Sequence, residues 1–489
     1  MDILILILLL FGLTFLVKKY GVSNSLNTKD VLIALGIKLS FGLLYLYIFT
    51  VYYGDGHLYG DSYSFYLDSK VLSQLAIDYP MDYLKLIFGF SEYNHDIVWP
   101  YLEQTVVWDY SHTGDFINDN RLILKINSVI HLFSYGNIYI HSLIHIFFSF
   151  IGIRLIYSVF SKFVKQKKWF WYALILTPSI SFWGGAILKE SILIFGIGLL
   201  FYAIQKLMKS ISIKYLFLLT IGVISITYNK PYAGLIIFPL SFLFIIGKYF
   251  NWSILKLKIT AIVIAVIFIF LIFAPSKINL TQKVSFKQKD LINLGKGGVF
   301  FITDSSFCFF DYKLHSNFEM RQASLIKINV ESIGEYKLFG QSTFKPFTIP
   351  KSDKLYAHYL TQIPSSSFFE ITPINNSALQ LIKSIPSAIS NVHFRPLPWD
   401  NGNQLKIFSS LQNLALMILL VFSIFKRRTL YNQDKWVLFM LITSSFFITL
   451  LIGWTTPIFG AIVRYKVPVD LFIIIISFIL LKSKTHDKV

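Results

Sequence analysis

Apolar runs of about 17 to 25 residues, the length a helix needs to cross a bilayer, recur along this chain almost from end to end. They constrain its fold more than any other feature, because backbone groups in hydrocarbon must be paired within their own segment, which a helix does. The runs predict spans at 1–17, 31–53, 139–160, 170–184, 189–206, 215–230, 232–248, 258–275, 408–425, 436–454 and 466–482, about eleven helices. An all-α polytopic membrane protein is the expected class. Pro178 and the Trp183-Gly184-Gly185 break predict that 170–184 and 189–206 form a kinked hairpin that does not cross fully.

The formal net charge of +19 would point to a polyanion in a soluble chain. Here the bases gather between apolar runs: Lys18-Lys19 with Lys29, Lys162 to Lys168, Lys206 to Lys214, Lys248 to Lys258, Lys426-Arg427-Arg428 with Lys435, and Lys482 to Lys488. They fall in every second gap, as cytoplasmic retention of Lys and Arg requires, so they report orientation and not a nucleic-acid partner. The N-terminus is expected outside and the C-terminus in the cytoplasm. Met1 to Val17 has no basic start and no small-residue cleavage site, so it is expected to remain as an anchor. A single cysteine, Cys308, rules out an intrachain disulfide.

Five regions follow: 1–53 with two spans, 54–138 as a first outer loop, 139–275 with six spans, 276–407 as a second outer segment, and 408–489 with three spans and a cytoplasmic tail. The first loop is rich in acids. Within it Ser64–Leu75 and Met81–Phe90 have helical spacing, which fits amphipathic helices on the membrane surface or short helices packed on the spans. The second segment is rich in Lys and punctuated by Pro, and Gly298 to Ile302 reads as a strand, so a small mixed α/β unit is expected there.

Asp55 and Asp61 stand among glycines and tyrosines in the stretch Tyr52 to Tyr66, where the second span emerges. Such a stretch is either a turn that ends a helix or a loop that presents carboxylates. Four other polar groups fall at the same level of the predicted topology. Lys189-Glu190 lies between two apolar half-spans, where an ionised pair should face a polar cavity. Lys230, in Asn229-Lys230-Pro231-Tyr232, breaks the positive-inside trend. Arg395 precedes Trp399-Asp400 before the ninth span, and Arg464-Tyr465-Lys466 lies between the last two. Arginine grips two phosphate oxygens at once and lysine adds a point charge.

A carboxylate beside an anion clamp is what sugar transfer from a polyprenyl phosphate or pyrophosphate carrier needs. The acid takes the acceptor hydroxyl proton, and the cations stabilise charge on the leaving phosphate. On this reading Asp61 and Asp55 are the candidate catalytic acids. Lys189, Glu190, Lys230, Tyr232, Arg395, Trp399, Asp400, Arg464, Tyr465 and Lys466 are the candidate substrate-binding residues, with Tyr63, Tyr66 and Trp399 available to stack on sugars. Mg2+ or Mn2+ could sit on the oxygens of Asp55 and Asp61, while His141 and His145, lacking a third ligand, read as packed histidines. Two other classes stay open: a transporter or flippase of a lipid-linked glycan, and a non-enzymatic assembly subunit.

The plan of an acidic motif in the first outer loop followed by surface helices resembles the GT-C class of membrane glycosyltransferases and related polysaccharide polymerases. Pro178 to Ser191, Lys230-Pro231-Tyr232, Phe394-Arg395-Pro396 with Trp399-Asp400, and Phe459 to Pro468 are similar to a family of largely uncharacterised bacterial polytopic proteins associated with surface-polysaccharide synthesis. The resemblance implies a GT-C-like fold in a bacterial inner membrane, a lipid-linked sugar donor, a glycan acceptor and polysaccharide-assembly partners. It also implies a catalytic Asp in the first outer loop, which maps onto Asp61 or Asp55.

Overall fold

The computed structural model describes residues 2–21, 26–90, 94–108, 118–249, 253–275, 278–303, 305–322, 325–338, 341, 343–356 and 358–482. Helix α1 (Asp2–Gly21) precedes α2 (Thr28–Tyr47), which widens into a π-helical turn at Ile48–Tyr52. A short loop leads to four helices of the first inter-span region, α3 (Asp61–Asp78), α4 (Pro80–Phe88), α5 (His95–Leu102) and α6 (Arg121–Ser134). Next come α7 (Ile138–Phe160), α8 (Lys167–Leu176), the single turn α9 (Pro178–Ser181), a 3-10 turn at Trp183–Gly185, α10 (Lys189–Leu207), α11 (Ile213–Thr227), α12 (Pro231–Tyr249) and α13 (Ile254–Phe273).

Helix α14 (Leu280–Lys296) opens the mixed region, followed by β1 (Gly298–Ile302), β2 (Ser306–Asp311), β3 (Phe318–Gln322), β4 (Leu325–Ile328), β5 (Ser332–Leu338), β6 (Lys345–Ile349), β7 (Ser352–Tyr356) and β8 (His358–Gln362). Short α15 (Ala378–Lys383) and α16 (Ile385–His393) return the chain to α17 (Leu405–Phe425), α18 (Asn432–Thr455), α19 (Phe459–Tyr465) and α20 (Val467–Leu480).

Among the described residues, six helices are long and apolar enough to cross a membrane: Thr28–Tyr52, Ile138–Phe160, Lys189–Leu207, Leu255–Phe273, Leu405–Phe425 and Asn432–Thr455. Three apolar helices are shorter, at Ile213–Thr227, Pro231–Gly247 and Val467–Leu480. The chain is thus mostly helical and of the membrane class, with a small sheet region. The run expected as a span at 170–184 divides into α8, α9 and the 3-10 turn, because Pro178 cannot continue a helix past Thr177, which is extended. Ten residues of α8 rise only about 15 Å, half a hydrocarbon core.

Close backbone contact holds the bundle together where glycines meet. A Cβ on Gly152 of α7 would lie 2.5 Å from the Ile194 carbonyl oxygen of α10, and one on Gly185 would lie 3.1 Å from Gly42 of α2. Small residues let helices approach this closely where lipid supplies no hydrophobic drive for association. The main core runs through α7, α8, α10, α18 and α20, with Phe150, Trp171, Leu200, Leu441 and Phe472 among its buried members. Lys38 of α2 is 0 % exposed and donates to the carbonyls of Ile180 (2.8 Å) and Ser181 (3.2 Å), which the broken segment leaves without helical partners.

The helices expected at 64–75 and 81–90 are α3 and α4, and a second apolar cluster joins them to the ends of α2 and α10 through Leu46, Phe65, Leu72, Leu86, Leu124 and Ile187. In the mixed region, strands order as β6-β5-β2-β1-β8 in one sheet and β3-β4-β7 in the other. Every pairing is antiparallel. Val299, Phe301, Phe310, Phe318, Ile326 and Ile328 fill the space between the sheets, as period-two alternation dictates.

Candidate functional site

Gly60 makes the start of α3 what it is. It caps the helix at φ 73 and ψ −153, a conformation that L side chains avoid, so the chain turns sharply and delivers Asp61 as the first helical residue. A carboxylate there is favoured by the partial positive charge of the helix N-terminus. Asp55 takes φ 45 in the same loop and is exposed, with no hydrogen bond or ion pair among the described residues.

From α19 comes Arg464, whose Nη1 donates to Asp61 Oδ2 at 2.7 Å. Its Nε lies 3.6 Å from Glu190 Oε1, and its guanidinium stands 5.9 Å from the Trp183 ring. The same Glu190 oxygen is 3.6 Å from Lys230 Nζ, which also sits 4.0 Å from the centre of the Tyr465 ring. Lys189 pairs with Asp119 Oδ1 at 2.6 Å and faces the ring of Phe65. The Tyr232 hydroxyl donates to the Tyr465 carbonyl at 3.3 Å. Asp61, Asp119 and Glu190 thus alternate with Lys189, Lys230 and Arg464, three anions against three cations.

The break before α10 explains this gathering. Leu188 is extended, so Lys189 and Glu190 begin a new helix inside the protein instead of riding past on the surface of a continuous one. Glu190 is 0 % exposed, and neither carboxylate oxygen makes a hydrogen bond, so its charge is balanced only by the two cations at 3.6 Å. Asp61 is open on one side, its side chain 57 % exposed. Arg464 beside it holds its carboxyl below the usual range. Burial would raise Asp119, but Lys189 and Lys230 outweigh it and leave that acid lowered too. Lys230, in the turn between α11 and α12, is pulled down to about 8 by burial, with Glu190 pulling the other way.

Not every residue singled out in the sequence belongs to this cluster. Arg395 pairs with Asp400 at 3.6 Å and lies over the rings of Phe369 and Phe459, in a separate cavity of about 550 Å³ that Trp399 also lines. Lys466 points the other way from Arg464: it is 1 % exposed and donates to the Val392 carbonyl (3.0 Å) and to Asn413 Oδ1 (2.5 Å), so it ties α16, α17 and α20 together. His141 and His145 share Asn127 Oδ1 at 2.8 and 3.2 Å, and His145 Nδ1 contacts Ser191 Oγ at 2.6 Å, as packed histidines do. Among the described residues no three His, Cys, Asp or Glu side chains gather in a metal-binding group.

Sequence reasoning missed Asp119 and Trp183 as members. Asp119 is one acid among many in its segment; the available signal is its place two residues ahead of α6, as Asp61 stands at the start of α3. Leu46, Tyr47, Val51, Leu58, Tyr63 and Tyr139 line a mainly apolar groove of about 540 Å³ between α2, α3 and α7. Comparison with protein-family models, with curated proteins and with solved structures returned no match.

Proposed function

We propose that the chain is a GT-C-like membrane glycosyltransferase or glycan polymerase with about eleven transmembrane helices. On this reading it lies in a bacterial inner membrane, N-terminus outside and C-terminus cytoplasmic, and uses a polyprenyl-phosphate- or pyrophosphate-linked sugar at the outer face. The observation that carries the reading is the Asp61–Arg464 contact at 2.7 Å beside Glu190, with Lys230 and Lys189 in the same cluster of alternating charges.

In the transfer, the acceptor hydroxyl oxygen forms a bond to the anomeric carbon while the bond from that carbon to the phosphate oxygen breaks. The hydroxyl proton goes to Asp61, and the electron pair leaves on the phosphate, whose charge Arg464, Lys230 and Lys189 stabilise. A carboxylate paired with arginine is a weak base. When the donor phosphate engages Arg464, that pairing loosens and Asp61 regains ordinary carboxylate basicity, so base strength and donor binding are linked. The apolar groove between α2, α3 and α7 suits an isoprenoid chain that stays in lipid.

The test is a strain carrying Asp61→Asn at normal protein level, with lipid-linked and surface glycans sized on a gel. Transfer through Asp61 predicts loss of product: chains shortened to single repeat units identify a polymerase, and units each lacking one sugar identify a transferase. Unchanged glycans remove Asp61 from catalysis. Intact lipid-linked units retained inside, with no surface glycan, make the protein a flippase instead.

A further inference from the structure

The second cavity is built unlike the first. Phe369 and Phe459 stack at 4.3 Å between ring centres and 5° between planes, and the Arg395 guanidinium lies 5.2 and 5.7 Å from those rings. Two backbone bonds fix this wall, from Phe369 N to the Pro457 carbonyl (2.9 Å) and from Phe459 N to the Ser367 carbonyl (3.0 Å). In the loop that carries Arg395, Asp400 Oδ2 accepts from Leu397 N at 2.7 Å, Lys406 donates to the Asp400 carbonyl, and Asn413 donates to the Arg395 carbonyl at 2.9 Å. Trp399, held on this braced loop, leaves its side chain 78 % exposed.

We infer that this pocket binds an uncharged sugar ring of the glycan acceptor, with Trp399 as the stacking platform. The inference rests on the transfer reading for the word acceptor. Its chemistry is that of carbohydrate recognition: an indole face for the C–H face of a pyranose, with Arg395, Glu370, Asp400 and Asn401 offering donors and acceptors to hydroxyls from one rim. Of the residues that line the cavity one is a cation and two are carboxylates; Arg395 faces Asp400 at 3.6 Å and Lys406 is held on the Asp400 carbonyl, so an anionic phosphate is disfavoured. Position supports the role. Helix α19 walls both sites, with Phe459 at one end and Arg464 near the other, five residues and about 7.5 Å apart along its axis. The two sites therefore share one short helix as a common wall.

The full-length protein in lipid nanodiscs is titrated with oligosaccharides released by mild acid from the host cell's own surface glycan. Wild type binds them. Trp399→Ala weakens binding by about tenfold or more, Trp399→Phe retains most of it, and inorganic phosphate does not compete. Equal affinity in Trp399→Ala, competition by phosphate, or no binding by wild type each overturns the inference. Asp61→Asn separates the two readings. If it leaves cellular glycans unchanged while Trp399→Ala abolishes oligosaccharide binding, the transfer reading falls and the sugar site stands. If it stops transfer and wild type binds no oligosaccharide, only the sugar site falls.

Discussion

Replacing Glu190 with Gln tests the charge cluster without reference to any reaction. Glu190 keeps its shape, loses its charge, and leaves Lys230 and Arg464 each without the anion 3.6 Å away. At that separation and an effective dielectric near 20, Coulomb's law gives about 5 kcal/mol per pair, and relaxation around the site would reduce the loss to about 2 kcal/mol. For Lys230 this is a fall of about one and a half pKa units, from about 8 to between about 6 and 7.

The folded-state value lies below the ordinary lysine range, so a charged Lys230 costs stability throughout the region below about pH 8. Above that the folded protein has released a proton which the unfolded chain still holds, and stability from this group rises with pH. In Glu190→Gln the release starts earlier. The lysine part of the mutant's deficit is therefore full near pH 6, shrinks through pH 7, and is gone above about pH 8, where Lys230 is neutral in both proteins. Thermal melting of the two purified proteins, compared in half-unit pH steps, reads this directly. A deficit that stays constant or grows between about pH 6 and pH 9 refutes the coupling of Glu190 to Lys230.

Two further outcomes follow from packing. Gly152→Val forces a side chain into the Ile194 and Phe195 backbone, and overpacking of about 1–3 kcal/mol should appear as a lower yield of monodisperse protein; a normal yield and melting point would show that α7 and α10 can separate without cost. Lys466→Met leaves the Val392 and Asn413 acceptors without their donor, so melting should fall by the equivalent of about 1–3 kcal/mol while the glycan profile is unchanged; an altered profile at normal stability would restore Lys466 to the site.

The grouping of Lys189, Lys230 and Arg464 was legible because a charge between apolar runs has few places to go. Lipid excludes it, and the helix ends supply a polar meeting point. Arg464 and Lys466 looked equivalent in sequence, yet a helix turns about 100° per residue, so side chains two apart face nearly opposite ways and only one reaches Asp61. Arg395 failed as a member of the cluster for a different reason: the preference of its guanidinium for the Phe369–Phe459 stack depends on a pairing between residues some ninety positions apart. The sequence places Asp61 ahead of Asp55 because a helix is expected to continue from it. Gly60 starts that helix at Asp61 and leaves Asp55 in the turn.

Lys38 has a consequence for how the protein is made. It sits midway along the Thr28–Tyr52 helix, and the two carbonyls that accept its protons lie 142 and 143 residues later in the chain. A lysine at the centre of a lone transmembrane helix costs about 2.5–3.5 kcal/mol during insertion. The bonds that offset this cost form only once the segment after α8 has been translated, so the early helix carries its buried lysine without these partners until the late, unwound segment packs against it.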